Sequence, residues 1–467
     1  MISPDRTRNR KLLVSVFNSQ EAREAVLGGA RIVDSEDPKT ALGNISPRHI
    51  MAIGDAVLNY KRDAEVQLST NIGEDQLLYD RSDSGAAIQK SVYEMSGKAA
   101  QSAIGVACAM GTRVHPVNLV KVGVDGMRVE MVRDVLSEVV HTLNRTEQFS
   151  HCEVMAVLFA QDLGLWRDRK NNQVVRRNLV GHGEFHYCEP DAVDAFDLMD
   201  NEYLVRTIRG GDDEYLYETA DEIPAPDAVL ERLKLENVLP AHATATTVQL
   251  NDLFPHHTYF PQVDTQEGRT NKDVIKLMVD ATADSGANSI MIDTSILTKV
   301  ARISLVDTAG GGLMDVNQYD VRGDLPRRGI LSLEEIRFFV DYCHLRGVEA
   351  NLAGSLQSFH AQQVWLKVPQ LDQLSTRGGS TAVVRNPYSG AVDSDTRFSR
   401  VTKRELVRGL APPEQGGVLN VAAHMVTAES KAFFKQLSEM INDERRQQGF
   451  EAAGTWVVDS FGQPTAL

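Results

Sequence analysis

Residues 11–38, KLLVSVFNSQEAREAVLGGARIVDSEDP, decide the fold of this chain. The stretch opens with a short apolar run at 12–16, which is typical of a buried strand. A helical pattern follows at 20–27, with Ser19 as its predicted capping residue, and a second strand at 30–34 comes after the glycines that end the helix. These elements predict two parallel strands of one sheet, because a parallel connection needs a crossover that is usually a helix.

The same order of helix, glycine and strand recurs along the chain. Gly286 stands between a helical pattern and a strand at 287–293, and Gly347 stands between a helix at 334–345 and a strand at 348–352. Eight strands are predicted in all: 12–16, 30–34, 64–69, 117–122, 152–159, 287–293, 348–352 and 371–376. Parallel strands that alternate with helices predict an α/β fold of the (β/α)8 TIM-barrel type. An open, doubly wound sheet is the alternative.

Two segments do not fit this alternation of strands and helices. More than a hundred residues separate strands five and six, where a barrel needs one helix, so 164–270 is predicted to be an inserted subdomain. Residues 411–467, which include a predicted terminal helix at 428–448, are predicted to be a C-terminal extension. The barrel is then built from 11–163 and 271–410.

Composition and charge exclude several classes of protein. A net charge of −15 argues against nonspecific binding to nucleic acid or to a membrane surface. No apolar run approaches the roughly 18 residues of a membrane span. The polar N-terminus and four scattered cysteines predict a cytoplasmic location with reduced thiols. No nucleotide-binding motif is present, and no cofactor is predicted.

Lys121 and Asp293 are the candidate catalytic residues, since each comes at the end of a predicted strand. A lysine at the top of a barrel is a candidate amine nucleophile, and a carboxylate there can move protons or orient the lysine. The structural alternatives are a lysine that extends to solvent for Lys121 and a helix cap for Asp293.

Small residues follow strands seven and eight, at Gly354-Ser355 and at Arg377-Gly378-Gly379. Barrel enzymes bind phosphate in these two loops, because small residues let backbone N–H groups approach the anion. Arg377 is a candidate for a bidentate contact with the phosphate. The two loops together predict a phosphorylated substrate.

The segment 182–188 alternates possible metal ligands at a period of two. On a strand, His182, Glu184, His186 and Cys188 share one face, which suits zinc or iron. The alternative is the exposed polar face of a hairpin in the inserted subdomain.

Several short motifs stand in a fixed order along the chain, mostly at the ends of predicted strands. They are Leu12-Leu13-Val14-Ser15, Glu21-Ala22 with Glu24-Ala25, Gly28-Gly29-Ala30, Asp34-x-x-x-Pro38-Lys39, Leu42-Gly43-Asn44, Val120-Lys121-Val122-Gly123, Ile292-Asp293-Thr294, Leu352-Ala353-Gly354-Ser355 and Arg377-Gly378-Gly379. Together they resemble the (5-formylfuran-3-yl)methyl phosphate synthase family. The resemblance does not extend to the insertion or to the C-terminal extension.

The resemblance implies a homo-oligomeric (β/α)8 lyase. The family makes the furan precursor of methanofuran and methylofuran, cofactors of one-carbon metabolism. It condenses two molecules of glyceraldehyde 3-phosphate through lysine chemistry. The resemblance also implies that Ser15 and Asp34 belong to the substrate site and that Lys39 belongs to the catalytic loop after strand two.

The chain departs from the family at two lysine positions. Glu36 stands where the family has a candidate imine-forming lysine. The simplest counterpart of a second family lysine is Leu297. With a shift of two residues, Lys299 would take the place of that second lysine. Lys121 and Asp293 match the family directly.

Glu36 and Lys121 are expected to form a close pair. Strands two and four are both even-numbered, and inward residues from alternate strands share a layer of a barrel. Such a pair keeps Lys121 protonated, which makes it a poorer nucleophile, or it supplies an acid/base couple for enolisation of a phosphorylated carbonyl compound.

The leading hypothesis is therefore a lyase that acts on glyceraldehyde 3-phosphate or a similar small phosphorylated carbonyl compound. The inserted subdomain is expected to lie over the barrel mouth. The alternatives are a non-catalytic paralogue that binds a phosphorylated ligand or a partner enzyme, and a metal-dependent lyase that uses residues of 182–188.

Overall fold

The computed structural model covers the barrel and its C-terminal extension. Its described residues are 10–60, 65–74, 76, 79–81, 87–111, 116–124, 127, 129–160, 271–294, 304–307, 331–383, 400–417, 419–422, 430–458 and 464–466, with the backbone of short strands between 166 and 249.

Eight parallel strands close into a barrel, because the eighth strand pairs with the first. They are β1 (Lys11–Val16), β2 (Ile32–Ser35), β3 (Gln67–Asn71), β4 (Leu119–Gly123), β5 (Glu153–Phe159), β6 (Ser289–Asp293), β7 (Glu349–Leu352) and β8 (Gln373–Thr376). Each overlaps one predicted strand. The (β/α)8 TIM-type fold is confirmed, and closure excludes the open-sheet alternative.

Helices lie between the strands around the barrel. They are α1 (Ser19–Gly28), α2 (Pro47–Tyr60), α3 (Val92–Ala107), α4 (Val129–Arg145), α5 (Asn271–Asp284), α6 (Leu333–Arg346), α7 (Ser358–Lys367) and α8 (Arg404–Leu410). Gly29 and Gly347 end α1 and α6 in the left-handed conformation, as glycine permits. The prediction that Ser19 caps α1 is wrong: Asn18 is the cap, and its side chain accepts from the N–H groups of Gln20 and Glu21.

Side chains on the barrel strands alternate between the helices and the interior. Leu12 and Val14 of β1 belong to the large cluster that includes the surrounding helices. Leu13, between them, belongs to a smaller cluster that fills the interior. That cluster comprises Leu13, Ile32, Ala41, Leu42, Leu119, Met155, Val157, Phe159, Met291 and Ala353. The same alternation turns Ser15, Asp34 and Lys121 inward near the C-terminal ends of their strands.

The C-terminal extension adds a small unit against the last barrel helices. It contains helix α9 (Ser430–Gln447) and strands β9 (Leu419–Ala422), β10 (Thr455–Val458) and β11 (Pro464–Ala466). Arg445 of α9 is buried and donates to the carbonyl oxygen of Gly417 at 2.9 Å and to Gln362 Oε1 of α7 at 3.3 Å. These bonds attach α9 to the barrel.

The other strands are short antiparallel or parallel pairings outside the barrel. They comprise Tyr79–Arg81 with Ala87–Gln89, Trp166–Asp168 with Gln173–Val175, Arg177–Val180 with Glu184–Tyr187, Leu204–Ile208 with Glu214–Glu218 and Thr247–Gln249, Val306–Asp307 with Leu331–Ser332, and Thr381–Val383 with Arg400–Thr402. The boundaries 164–270 and 411–467 remain predictions. Among the described helices, none is long and apolar enough to cross a lipid bilayer.

Candidate active site

A buried lysine and two buried carboxyl groups form the centre of the candidate site. Lys121, in the middle of β4, donates from Nζ to Asp34 Oδ2 of β2 at 2.6 Å and to Glu36 Oε2 at 3.2 Å. The side chain of Lys121 is 2% exposed, and those of Asp34 and Glu36 are 0% and 5% exposed. The expected pair of Glu36 with Lys121 is present, and Asp34 makes the shorter contact with the same amine.

Two serine hydroxyls complete this group. Ser15 Oγ of β1 lies 3.0 Å from Asp34 Oδ2 and 3.2 Å from Glu36 Oε2. Ser69 Oγ of β3 donates to the other oxygen of Asp34, Oδ1, at 2.7 Å. The pairing of β2 with its two neighbours brings them together, since Asp34 stands opposite Ser15 on one side and Ser69 on the other. We refer to Ser15, Asp34, Glu36, Ser69 and Lys121 as the lysine–carboxyl cluster.

The charges in this cluster shift one another's protonation. Burial alone would lower the pKa of Lys121, but the negative charges of Asp34 and Glu36 outweigh it and raise that pKa above its ordinary value of 10.5. Burial raises the pKa of Asp34 above its ordinary value of 3.8, and the charge of Glu36 adds to this effect while Lys121 opposes it. Lys121 is therefore a cation at neutral pH, and a carboxyl proton is easier to retain here than in water.

Asp293 ends β6 and is buried at 3% exposure. Its Oδ1 accepts from the N–H of Thr294 at 2.6 Å. Asp293 comes two residues after Met291 of the interior cluster, so its side chain lies on the same, inward face of β6. It therefore points into the barrel at the C-terminal end, as Lys121 does. The structure thus brings a third carboxyl group to the C-terminal face of the barrel.

The loops after β7 and β8 lie against each other. Gly354 and Ser355 have φ angles of 109° and 51°, so the chain turns sharply after β7. A side chain at Gly379 would reach within 2.0 Å of the carbonyl oxygen of Leu356, which shows how closely the two loops pack. Among the described residues, none accepts a hydrogen bond from the N–H of Ser355 or of Gly378. Backbone donors of this kind suit an anion.

Arg377 is occupied by an ion pair. Its Nη1 and Nη2 donate to the two carboxylate oxygens of Glu21 at 3.1 and 3.4 Å, and Nη1 also approaches the carbonyl oxygen of Ser15 at 3.3 Å. Glu21 also accepts from the N–H groups of Phe17 and Thr402. The guanidinium group of Arg377 thus holds α1 against the loop after β8. A contact between Arg377 and phosphate stays a prediction.

Replacing Glu21 with alanine should lower the free energy of unfolding by about 3–5 kcal/mol, because it leaves the guanidinium of Arg377, whose side chain is only 10% exposed, without its carboxylate partner. The matched control is Glu24→Ala on the same helix. Glu24 pairs with the half-buried Arg404 at 3.3 Å, so its loss should cost only about 0–1 kcal/mol. Urea unfolding of both variants checks the difference, and equal losses would contradict it.

The loop after β2 covers the interior of the barrel. Ala41 and Leu42 are buried in the interior cluster, and their N–H groups donate to Glu74 Oε2 at 2.8 and 3.1 Å. Lys39 of the same loop is exposed, so the structure does not bring it into the buried lysine–carboxyl cluster. Its predicted catalytic role is untested.

Some predicted residues lie where the structure gives no description. Leu297, Lys299, His182 and Cys188 are outside the described residues. Glu184 and His186 are on the strand Glu184–Tyr187, whose side chains are likewise not described. In the part of the chain that is described, no group of three or more His, Cys, Asp or Glu residues is arranged to hold a metal ion. The metal hypothesis for 182–188 therefore stays a prediction.

Three residues that position the site were given no individual role in the sequence analysis. Ser69, Glu21 and Glu74 carry hydrogen bonds that position the site. A serine on a strand and a glutamate in a helical pattern are ordinary, so neither gives a signal. Only Glu74, which follows the third strand, stands where polar residues of a barrel gather.

The fold and the cluster define a (β/α)8 barrel protein with a buried acid–base group at the catalytic end of its strands. Residues 12–171, which include β2 to β5, match the family model described as 4-HFC-P synthase. This is the family that the sequence motifs resemble. No curated protein matches the chain.

The solved structures that match the chain are distant. Deoxyribose phosphate aldolase from Aeropyrum pernix is 11% identical, with a TM-score of 0.33 over 81% of this chain and 90% of that one. Rubisco from Pyrococcus horikoshii is 10% identical, with a TM-score of 0.37 over 95% and 66%. Phosphoribosyl anthranilate isomerase from Thermus thermophilus is 10% identical, with a TM-score of 0.31 over 86% and 96%. These similarities are too low to bear on function.

Proposed function

We propose that this protein is a lyase that joins and dehydrates glyceraldehyde 3-phosphate, or a similar small phosphorylated carbonyl compound, to a furan phosphate. The observation that carries the proposal is the buried cation of Lys121 between Asp34 and Glu36 at the catalytic end of the barrel. The family match supports the reaction class. The product would serve as a furan precursor in one-carbon cofactor biosynthesis.

Lys121 acts in this proposal as a fixed positive charge and proton donor. An aldol-type condensation develops negative charge on a carbonyl oxygen, and an ammonium group in a dry site stabilises that charge strongly. A neutral amine would be needed for an imine, and the two carboxylates oppose its formation by raising the pKa of Lys121.

The carboxyl groups supply the proton transfers. Enolisation removes a proton from carbon next to the carbonyl group, and dehydration adds a proton to a leaving hydroxyl. Asp34, Glu36 and Asp293 are three buried carboxyl groups at one end of the barrel. In this proposal one of them acts as the base while another, protonated, acts as the acid.

The loops after β7 and β8 are proposed to hold the phosphate. The sharp turn at Gly354 and Ser355 and the backbone of Gly378 face the same end of the barrel as Lys121. Gly378 is exposed, and a side chain added there would meet no atom within 4 Å. The space above Gly378 is therefore open to a ligand.

Gly378→Ala should raise KM for a phosphorylated substrate about tenfold, which corresponds to about 1.4 kcal/mol of binding free energy, with little change in stability. The added methyl group occupies space next to the proposed phosphate. Gly97→Ala in α3 is the control, since its added carbon also meets nothing within 4 Å. Steady-state kinetics and thermal unfolding check this result, and an unchanged KM would place the phosphate elsewhere.

A second candidate is a non-catalytic paralogue that binds a phosphorylated ligand. The observation that favours it is Glu36 at the position of a family lysine, where it holds Lys121 in an ion pair. In this case the phosphate loops would bind ligand without turnover.

Incubation of the purified protein with glyceraldehyde 3-phosphate distinguishes the two candidates. We expect a furan product, detected by its ultraviolet absorbance and by NMR. Borohydride added during turnover should give little reduced adduct on Lys121, as peptide mapping would show. Tight binding without a furan product would support the paralogue, and a stoichiometric adduct on Lys121 would replace the acid–base mechanism with an imine.

A further inference from the structure

Four polar side chains of β7 and β8 form a chain of hydrogen bonds through the interior of the barrel, which we call the polar ladder. Ser375 Oγ donates to Asn351 Oδ1 at 2.9 Å, and Asn351 Nδ2 donates to Gln373 Oε1 at 3.2 Å. Gln373 Nε2 in turn donates to Glu349 Oε2 at 2.6 Å. The first three residues are buried, whereas the side chain of Glu349, at the N-terminal end of the barrel, is 45% exposed.

Glu349 fixes the direction of every bond in the polar ladder. Its half-exposed carboxylate lies 3.9 Å from the amine of Lys11, so it is ionised at neutral pH and can only accept hydrogen bonds. Gln373 must therefore turn its NH2 group to Glu349 and its oxygen to Asn351. Asn351 must likewise offer its NH2 group to Gln373, which leaves the oxygen of Asn351 toward Ser375.

The single proton of Ser375 is thereby committed to the ladder. Asn351 is fully buried, and a buried acceptor without a donor is costly. Among the residues that the structure describes, Ser375 is the one that donates to the amide oxygen of Asn351. Because a serine hydroxyl has one proton and two lone pairs, Ser375 is left with an oxygen that can only accept.

Ser375 lies in the same layer of the barrel as Asp34 and Lys121. All three are on even-numbered strands, and alternate strands supply each layer. Ser375 is paired with Leu13 of β1, and Leu13 is paired with Ile32, two residues before Asp34. The strand pairing from Asp34 to Lys121 has the same offset of two residues, and those two side chains are in contact. The hydroxyl group of Ser375 is therefore level with the lysine–carboxyl cluster.

From this geometry we propose that Ser375 accepts a hydrogen bond from a hydroxyl group of the substrate, and that the polar ladder imposes this preference from the opposite end of the barrel. The inference rests on the proposed function and deepens it. Glyceraldehyde 3-phosphate carries its hydroxyl group on the carbon between the aldehyde and the phosphate-bearing carbon. Ser375 is level with Lys121 and shortly precedes the loop proposed to hold phosphate. It therefore selects a 2-hydroxy carbonyl compound over its deoxy analogue.

Two unreactive ligands that differ by one hydroxyl group test this role. Glycerol 3-phosphate has the central hydroxyl group, and 3-hydroxypropyl phosphate lacks it. In calorimetric titrations of the whole protein, we expect the wild type to bind glycerol 3-phosphate about tenfold more tightly. Ser375→Ala should bind the two ligands with equal affinity. Equal binding by the wild type, no binding of either ligand, or a preference that survives in Ser375→Ala overturns the proposal.

Glu349→Gln tests the part of the polar ladder that is remote from the site. A neutral glutamine can accept from Gln373 or donate to it, so both directions of the ladder become possible and the preference should fall to about two- or threefold. Glu153→Gln is the matched control. Glu153 begins β5 at the same end of the barrel, and within the described part of the chain its side chain makes no hydrogen bond to the ladder. It should keep the full preference, and equal results for the two variants overturn the role of the ladder.

The ratio of the two affinities separates recognition of the hydroxyl group from a structural defect. A loss of packing in Ser375→Ala weakens both ligands alike, whereas the loss of an acceptor weakens only glycerol 3-phosphate. Furan formation from glyceraldehyde 3-phosphate tests the proposed function separately. A wild type that shows the preference but forms no furan refutes the proposed lyase and leaves Ser375 as a binding residue. A wild type that forms furan without the preference refutes the role of Ser375 alone.

Discussion

Lys121→Met should lose at least a thousandfold in turnover and about 3–5 kcal/mol in the free energy of unfolding at neutral pH. Methionine keeps the length of the side chain but removes the charge. Asp34 and Glu36, which are buried beside Nζ, then lose their contacts with this cation. The loss of stability is large because two desolvated carboxyl groups face each other, and the loss of turnover follows because the charge that stabilises the reacting oxygen is gone.

The pH dependence of this loss has a definite sign. In the wild type the pKa of Lys121 is raised above 10.5, so its contribution to stability is complete below that value and is lost as pH rises through the folded-state pKa. In Lys121→Met the pKa of Asp34, already raised by burial, rises further because the opposing charge is removed. A carboxyl group with a raised folded-state pKa destabilises the protein above its unfolded value of 3.8. The variant should therefore regain stability as pH falls.

Urea unfolding at neutral and at mildly acidic pH measures this recovery. Lys98→Met is the control, since Lys98 is exposed on α3 and its loss should cost little at either pH. A destabilisation of Lys121→Met that does not change between the two conditions would show that lost packing, rather than buried charge, is responsible.

The barrel itself could be predicted from local signals. Short apolar runs, helical patterns and the glycines between them depend only on nearby residues, and Gly29 and Gly347 end α1 and α6 as expected. The error at the start of α1 is equally local, because Asn18 and Ser19 are both good capping residues. Closure follows from the number of strands and from their uniform direction.

The contacts of the site were only partly predictable. The pair of Glu36 with Lys121 follows from the rule that alternate strands share a layer of the barrel. The pairing of Arg377 with Glu21 joins residues 356 positions apart, and no local pattern marks it. The sequence therefore indicated Arg377 as free for phosphate, whereas a carboxylate of the first helix is its partner in the structure.

Glu36→Gln decides between the acid–base and imine mechanisms. In the acid–base mechanism the variant removes one of the three buried carboxyl groups that supply the proton transfers, so furan formation should fall about 100- to 10,000-fold. It also removes one of the two charges that raise the pKa of Lys121, so that pKa should fall. The lysine is then more often a neutral amine, and borohydride trapping with glyceraldehyde 3-phosphate should yield more adduct on Lys121 than in the wild type.

Asp37→Asn is the matched control in the same loop. Asp37 is the next residue, and its Oδ1 accepts from the N–H of Lys39 at 3.0 Å, a bond that asparagine can keep. It should change neither turnover nor trapping. If Glu36→Gln raises trapping and furan formation together, the amine of Lys121 is the nucleophile and Glu36 restrains it. If trapping rises while furan formation falls, the carboxyl group of Glu36 takes part in the proton transfers, and a neutral Lys121 cannot replace it.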